Sequence, residues 1–366
     1  MFRESGMHNS EEREMGEFVV AENSQEAARM ISARFEDMQR GRYGKDGKEP
    51  KDFHNEEHPA EVAEGCLDIW DRLTAIDPEL FPASDRPVIE ALGRGHDLKQ
   101  ETKIKELGGV RRLVRARGFR EKNRDALIAE GWSVGNEEAG AEEIIAEMRR
   151  YKKPDGTHIF PVEDENFLER VQLAVAATYP ELPPTFVEKL PPEEGGAMGL
   201  KISQPYLNAD SDPWALVLAI EDLRGPAGAG DFETFRKSGN AEFRELNPWV
   251  REAIAGGIEG VAENTRKAIA VEILKWKRSQ EGFARWQRVL FGKALEENKA
   301  INASVQATEI KQVFRDRYSH FEDNIQRTKS TYEELLQKFG PPESLNEQAT
   351  GDAGLRELLE AIGYEQ

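Results

Sequence analysis

Cysteine is almost missing from this chain of 366 residues: Cys66 is the single one. An internal disulfide framework and a cysteine-based zinc site are therefore excluded. Long apolar runs are missing too. The longest, around Leu173–Ala177 and Trp214–Ile220, fall far short of the ~20 residues that cross a bilayer, so no membrane partner is expected. Basic charge is scarce: 50 Lys+Arg stand against 69 Asp+Glu, for a net charge of −19. That balance argues against general nucleic-acid binding and against anionic membrane surfaces. The opening MFRESGMHNSEEREM lacks the apolar core of a secretory signal, and a cytoplasmic location is the default expectation. Strand-like alternation, short-period repeats and a Gly-rich phosphate loop are not apparent either.

What remains is helical. Residues 1–16 read as a polar tail. Ser24 is the expected N-cap of a first helix with Ala27, Met30, Ile31 and Phe35 on one face. A second helix is expected from about Asn55 to Ala75, with Val62, Cys66, Ile69 and Leu73 as its stripe. Pro87 suits the first turn of a third, which runs into Gly93-Arg94-Gly95-His96-Asp97. The composition then changes: Lys99–Arg124 holds ten Lys/Arg against three Glu, in an otherwise acidic chain. This stretch reads first as a solvated helical face. Helices follow over Asn166–Thr178 and Trp214–Leu223, separated by a Pro-rich connector. Asp231–Asn247 reads as a polar connector. Long amphipathic helices fill Trp249–Phe339 until Gly340-Pro341-Pro342. The expected organisation is all-α: one domain over 17–240, a helical extension over 245–340, and a short tail or helix over 341–366. Trp276, Phe283 and Trp286 in the extension suit either packing on the first domain or a homodimer contact through the C-terminal helices.

Only six histidines occur, and three fall in two compact motifs. Phe53-His54-Asn55-Glu56-Glu57-His58 places His54 and His58 four residues apart, on one face if helical. His96-Asp97 can serve one ion only with a distorted or terminal backbone, which Gly93 and Gly95 permit. Downstream, Glu221-Asp222 closes an apolar helix, where a carboxylate needs a partner. Two histidines with carboxylates make a mixed N/O donor set for Mn²⁺ or Mg²⁺ first, and for Fe²⁺ or Zn²⁺ as alternatives.

The order His…His-Asp…Asp resembles the signature of the HD superfamily of metal-dependent phosphohydrolases. Phe53-His54-Asn55-x-x-His58 is similar to the Tyr-His-Asn-x-x-His opening of one subgroup, shared by cyclic-nucleotide phosphodiesterases and a set of bacterial HD proteins. Asn136-Glu137-Glu138-Ala139-Gly140-Ala141 resembles an Asn-Glu-x-x-Ser-Ala segment of the latter, with Gly140 in place of Ser. Thr178 and Asp222-Leu223-x-Gly225 fall in the expected order. The resemblance covers roughly residues 50–226 and implies an HD-type helical bundle. It implies His58, His96, Asp97 and Asp222 as metal ligands, His54 as the general acid and Glu137 beside the attacking water. Asn55 would fix the start of the helix or the orientation of a ligand. Leu98-Lys99-Gln100-Glu101 lacks the further His of many phosphodiesterases, so one tight metal is expected.

The expected activity is hydrolysis of a small-molecule phosphoester or nucleotide by metal-activated water, with His54 as acid. Arg94, Lys99, Lys103, Arg111, Arg112 and Arg115 are candidates to hold additional phosphates. Two other readings stand beside it: a nucleotide-binding regulatory module that keeps the pocket without turnover, and a di-iron oxygenase, which the shortage of histidines disfavours.

Overall fold

The computed structural model describes residues 18–107, 110–115, 135–180, 188–189, 198–199, 204–225 and 228–364; for 104–107, 110–115, 188–189 and 198–199 only the backbone is described. The expected tail over 1–16 and most of the Pro-rich connector lie outside the described residues. The described chain is mostly helical, as the periodicity implied.

Six helices form the first part of the described chain, and the last of them packs against the second, third and fifth. Helix α1 (Ser24–Tyr43) starts at Asn23 rather than Ser24, because the Asn23 Oδ1 accepts the Glu26 N–H at 3.0 Å. Helix α2 (Glu57–Ile76) buries Val62, Cys66, Ile69, Trp70 and Leu73. Helix α3 (Arg86–Gly95) carries Pro87 in its first turn and crosses α2 closely. A Cβ on Gly93 would lie 2.5 Å from the Ala63 Cα, so the two backbones can touch only with glycine there. Helices α4 (Asn136–Arg150) and α5 (Glu165–Ala176) follow. Helix α6 (Pro213–Asp222) is buried on every side from Pro213 to Glu221, as a helix apolar all round must be.

The polar stretch after it is not a connector. Helix α7 spans Phe232–Leu246, capped by Asp231, whose Oδ1 accepts the Thr234 N–H at 2.8 Å. Phe235 and Phe243 anchor its apolar face. The short α8 (Pro248–Ile254) leads to α9 (Glu263–Glu297), a 35-residue helix about 52 Å long. Helices α10 (Lys299–Ala303), α11 (Ala307–Arg317), α12 (Phe321–Phe339), α13 (Glu347–Thr350) and α14 (Asp352–Ala361) complete the chain.

The basic stretch also departs from the helical expectation. Strands β2 (Thr102–Leu107) and β3 (Val110–Arg115) pair antiparallel with Leu107 opposite Val110. In the sequence Gly108-Gly109 stands between them, a two-residue hairpin signal that outweighed the charge pattern. Arg111, Arg112 and Arg115 lie on β3, with side chains outside the described residues. Strand β1 (Val19–Val20) pairs in parallel with β4 (Tyr151–Lys152), and β5 (Glu188–Lys189) pairs with β6 (Met198–Gly199).

Two apolar cores result, and the long α9 contributes to both. The larger runs from Ala21 through α1–α6 to Ala284, Phe291, Leu295, Phe314 and Ile325. The smaller joins Phe243, Trp249 and Val250 to Ile269, Ile273, Leu335, Phe339 and Leu358. Helix α9 belongs to both, its first half to the smaller and its second half to the larger. The C-terminal helices thus pack on the preceding ones, and Trp276 meets Phe243 edge-on at 5.8 Å. Among the described residues no helix is long and apolar enough to cross a membrane.

Candidate metal centre

Three helix ends meet at one buried point. His58 is in the first turn of α2, and His96-Asp97 directly follows α3. Asp222 is the last residue of α6. The adjacency of His96 and Asp97 is resolved by the terminal backbone: the helix stops at Gly95, and both side chains turn to the same side. Ligating atoms of His58, His96, Asp97 and Asp222 all lie within 4.8 Å of one another. His58 Nε2 is 3.2 Å from Asp222 Oδ1 and 3.5 Å from Asp97 Oδ2; His96 Nε2 is 3.4 Å and 3.3 Å from the same two oxygens. Nitrogen and oxygen ligands about 2.1 Å from a shared ion stand about 3.0–3.4 Å apart, so these separations match the edges of a coordination shell.

The surrounding bonds prepare the donors. His96 Nδ1 donates to the Gly93 carbonyl at 2.9 Å, which leaves Nε2 with its lone pair. Gln100 Nε2 donates to Asp97 Oδ1 at 2.8 Å, leaving Oδ2 to face the histidines. His96 Nε2 and Asp97 Oδ2 are buried and lack a hydrogen-bond partner, a costly state that a cation between them would relieve. Burial opposes charge on His96, yet Asp97 and Asp222 outweigh it and hold the imidazole well above its ordinary basicity. Burial would likewise raise Asp97 and Asp222, but the histidines hold both below the usual carboxylate range. Two buried carboxylates demand positive charge, as a proton or as a metal ion. The donor set fits a divalent cation.

His54 is held differently from expectation. It precedes α2 instead of sharing its face, so helical spacing does not align it with His58. Glu245, in the last turn of α7, sets its place. The buried Glu245 carboxylate accepts the backbone N–H groups of Phe53 and His54, both at 3.0 Å, through Oε2. His54 Nδ1 lies 3.0 Å from Glu245 Oε1 and 3.2 Å from Oε2. An ionised carboxylate there fixes the proton on Nδ1 and leaves Nε2 free of Glu245. The Phe53 ring packs against both imidazoles, 4.6 Å from His54 and 4.4 Å from His58.

A cavity of 70 Å³ adjoins this arrangement, lined by His54, Asp97 and Asp222 with Glu137, Thr178, Phe283 and Gln287 among others. Glu137 thus shares a cavity with Asp97 and Asp222. The segment around it is fixed by Asn136, which does not cap its own helix: Asn136 Oδ1 accepts the Glu101 N–H at 2.9 Å. Asn55 serves the backbone, its Oδ1 accepting the Glu57 N–H at 2.8 Å at the start of α2. It lines a neighbouring cleft of 320 Å³ together with His58, Arg224 and Lys237. Arg94 faces Glu36 at 3.9 Å and Lys99 faces Glu143 at 3.0 Å. Neither they nor Lys103, on β2, lines the metal-side cavity.

The sequence reading missed Glu245, Gln100, Phe283 and Gln287. Glu245 offered a faint signal, one helical turn after the buried Ala241 in a segment read as polar. Comparison with protein-family models, with curated proteins and with solved structures yields no match.

Proposed function

We propose that this chain is an HD-type, metal-dependent phosphohydrolase acting on a small phosphoester. The observation that supports it best is a pairing around one cavity: Asp97 and Asp222 of the four-donor cluster line it, and so does His54, held from behind by Glu245. A bound divalent cation supplies electrophilic stabilisation to a phosphoryl oxygen and lowers the pKa of water toward neutrality. Mn²⁺ or Mg²⁺ suits a set half oxygen, with Fe²⁺ or Zn²⁺ as alternatives.

The protein's own residues divide the remaining work. His58, His96, Asp97 and Asp222 hold the cation. His54, charged and backed by Glu245, gives its Nε2 proton to the leaving oxygen as the ester P–O bond breaks. Glu245 keeps its charge throughout; it orients the ring and stabilises the imidazolium. Glu137 orients the attacking water and accepts hydrogen from it. Water oxygen ends on phosphorus and the alcohol departs protonated, so atoms and charge balance. Residues 50–226 would form the HD bundle, completed by Glu245 from α7.

Phosphate release from a panel of phosphoesters, with metal content by elemental analysis, tests this reading. About one metal per chain and Mn²⁺-dependent release, both lost in His96→Ala, are expected. In His54→Asn the metal should remain while kcat drops about 10²–10⁴-fold. Metal and nucleotide binding without turnover would replace the enzyme with a receptor.

A further inference from the structure

Gln287 has no structural occupation. It lies on α9 one turn after Phe283, is fully buried, and lines the metal-side cavity. Neither its Oε1 nor its Nε2 has a hydrogen-bond partner. Three other buried glutamines use at least the amide nitrogen: Gln39 Nε2 donates to the Arg94 carbonyl, Gln100 Nε2 to Asp97 and Gln204 Nε2 to the Ala177 carbonyl. A buried carboxamide with both ends unsatisfied is disfavoured by folding alone and points to a ligand that satisfies it.

We propose that Gln287 is a specificity-determining residue that contacts substrate, and that it selects phosphomonoesters bearing a hydroxyl on the carbon next to the ester carbon. The inference rests on the phosphohydrolase reading of the same cavity. At 70 Å³ the cavity holds about five water-sized groups. A tetrahedral phosphoryl group and its attacking water take most of that space. What reaches Gln287 is the portion of the alcohol next to phosphorus, not a distant ring. A hydroxyl there donates to Oε1 and accepts from Nε2. Phe283, Phe53 and Leu223 supply apolar walls for the carbon skeleton. This is a small concave site with few polar groups to set orientation.

Glycerol 1-phosphate and n-propyl phosphate make the test, since they differ only in hydroxyls. The Mn²⁺-loaded wild type should prefer glycerol 1-phosphate in kcat/KM. Gln287→Met should lower that value at least about tenfold and leave n-propyl phosphate within about twofold. Metal content should not change, and Tm should hold or rise because two unsatisfied polar atoms leave the interior. Equal losses on both esters, or an unchanged preference, overturn the proposal. If Gln287→Met does not fold, Gln287→Glu keeps length and acceptor while losing the donors, and the same two ratios decide. If the wild type hydrolyses neither ester, the phosphohydrolase reading fails separately. Calorimetric titration of the metal-loaded proteins with the two esters then decides the role of Gln287. Tighter binding of glycerol 1-phosphate that vanishes in Gln287→Met sustains it, and equal affinities sink it.

Discussion

The two walls of the cavity differ in origin. The metal wall comes from residues 58–222, each at a helix end, with donors fixed by short local bonds such as His96 to Gly93. The opposite wall is borrowed: Phe283 and Gln287 line the cavity from α9, and Glu245 of α7 holds the lining His54 from behind, across 191 positions of chain. A local wall can form as soon as its own helices pack. The borrowed wall exists only when the C-terminal helices have docked. Damage to the first should abolish metal binding, whereas damage to the second should leave the metal and change the chemistry: its rate at Glu245, its choice of ester at Gln287.

The largest effect is expected on the metal wall. Asp222→Ala removes the carboxylate that both His58 and His96 approach, and it leaves two imidazoles facing each other. Bound metal should fall to background in elemental analysis, and phosphate release with it. Retention of stoichiometric metal would sink the cluster as a metal site.

On the borrowed wall, Glu245→Gln keeps the shape and the backbone acceptor but loses the charge that stabilises the His54 imidazolium. Metal content should be unchanged while kcat falls about a hundredfold. A kcat within about twofold of wild type would reduce Glu245 to packing.

The docking itself can be weakened at Arg317 of α11. Its Nε lies 2.9 Å from Glu221 Oε1 without a hydrogen-bonding angle, its Nη2 lies 2.9 Å from Asp68, and it donates to the Gly65 carbonyl. Burial raises the Glu221 carboxyl above its usual range even though Arg317 opposes this. Arg317→Met strands that buried acid, at a cost of about 3 kcal/mol when it is ionised. The sign follows from protons bound: with a raised pKa the folded state holds the proton longer than the unfolded one. Stability therefore falls as pH rises through the window above the ordinary carboxylate value. Thermal unfolding of Arg317→Met should be most depressed near pH 8 and partly recovered near pH 5.

The asymmetry between the walls also explains what the sequence could reveal. His58, His96, Asp97 and Asp222 carry chemistry that is rare in apolar surroundings, so their type and order are informative by themselves. Helices α2, α3 and α6 were legible because a stripe or a wholly apolar run leaves little choice of period. The hairpin over 102–115 was read through its charge, although Gly108-Gly109 held the better signal. Glu245 and Gln287 are common surface residue types on polar-looking helices, and only tertiary contact makes them exceptional. Arg94 and Lys99 had the opposite fate: their positive charge suggested phosphate, but acidic neighbours on α1 and α4 take it up.

The smallest effect sharpens the contrast from the second core, at a residue that lines neither wall. Lys277 on α9 is buried, donates to Asn240 Oδ1 at 2.9 Å, and is pushed down to about 8 by burial first and by the nearby Arg236 charge second. A lowered pKa means that the folded state binds fewer protons than the unfolded one between about 8 and the ordinary lysine value. Stability should therefore rise with pH across that window. Below it, holding the charge costs on the order of 3 kcal/mol. Lys277→Met removes that cost but leaves Asn240 Oδ1 without its donor, which returns about 1–3 kcal/mol. The net gain at pH 7 should be about 1 kcal/mol, with the rise in Tm between pH 8 and 10 abolished. Metal content and turnover should not change, because Lys277 lines neither the cavity nor the neighbouring cleft. If Lys277→Met slowed turnover at constant metal content, the two ends of α9 would be coupled, and the borrowed wall would answer to the whole C-terminal half instead of to its nearest turns.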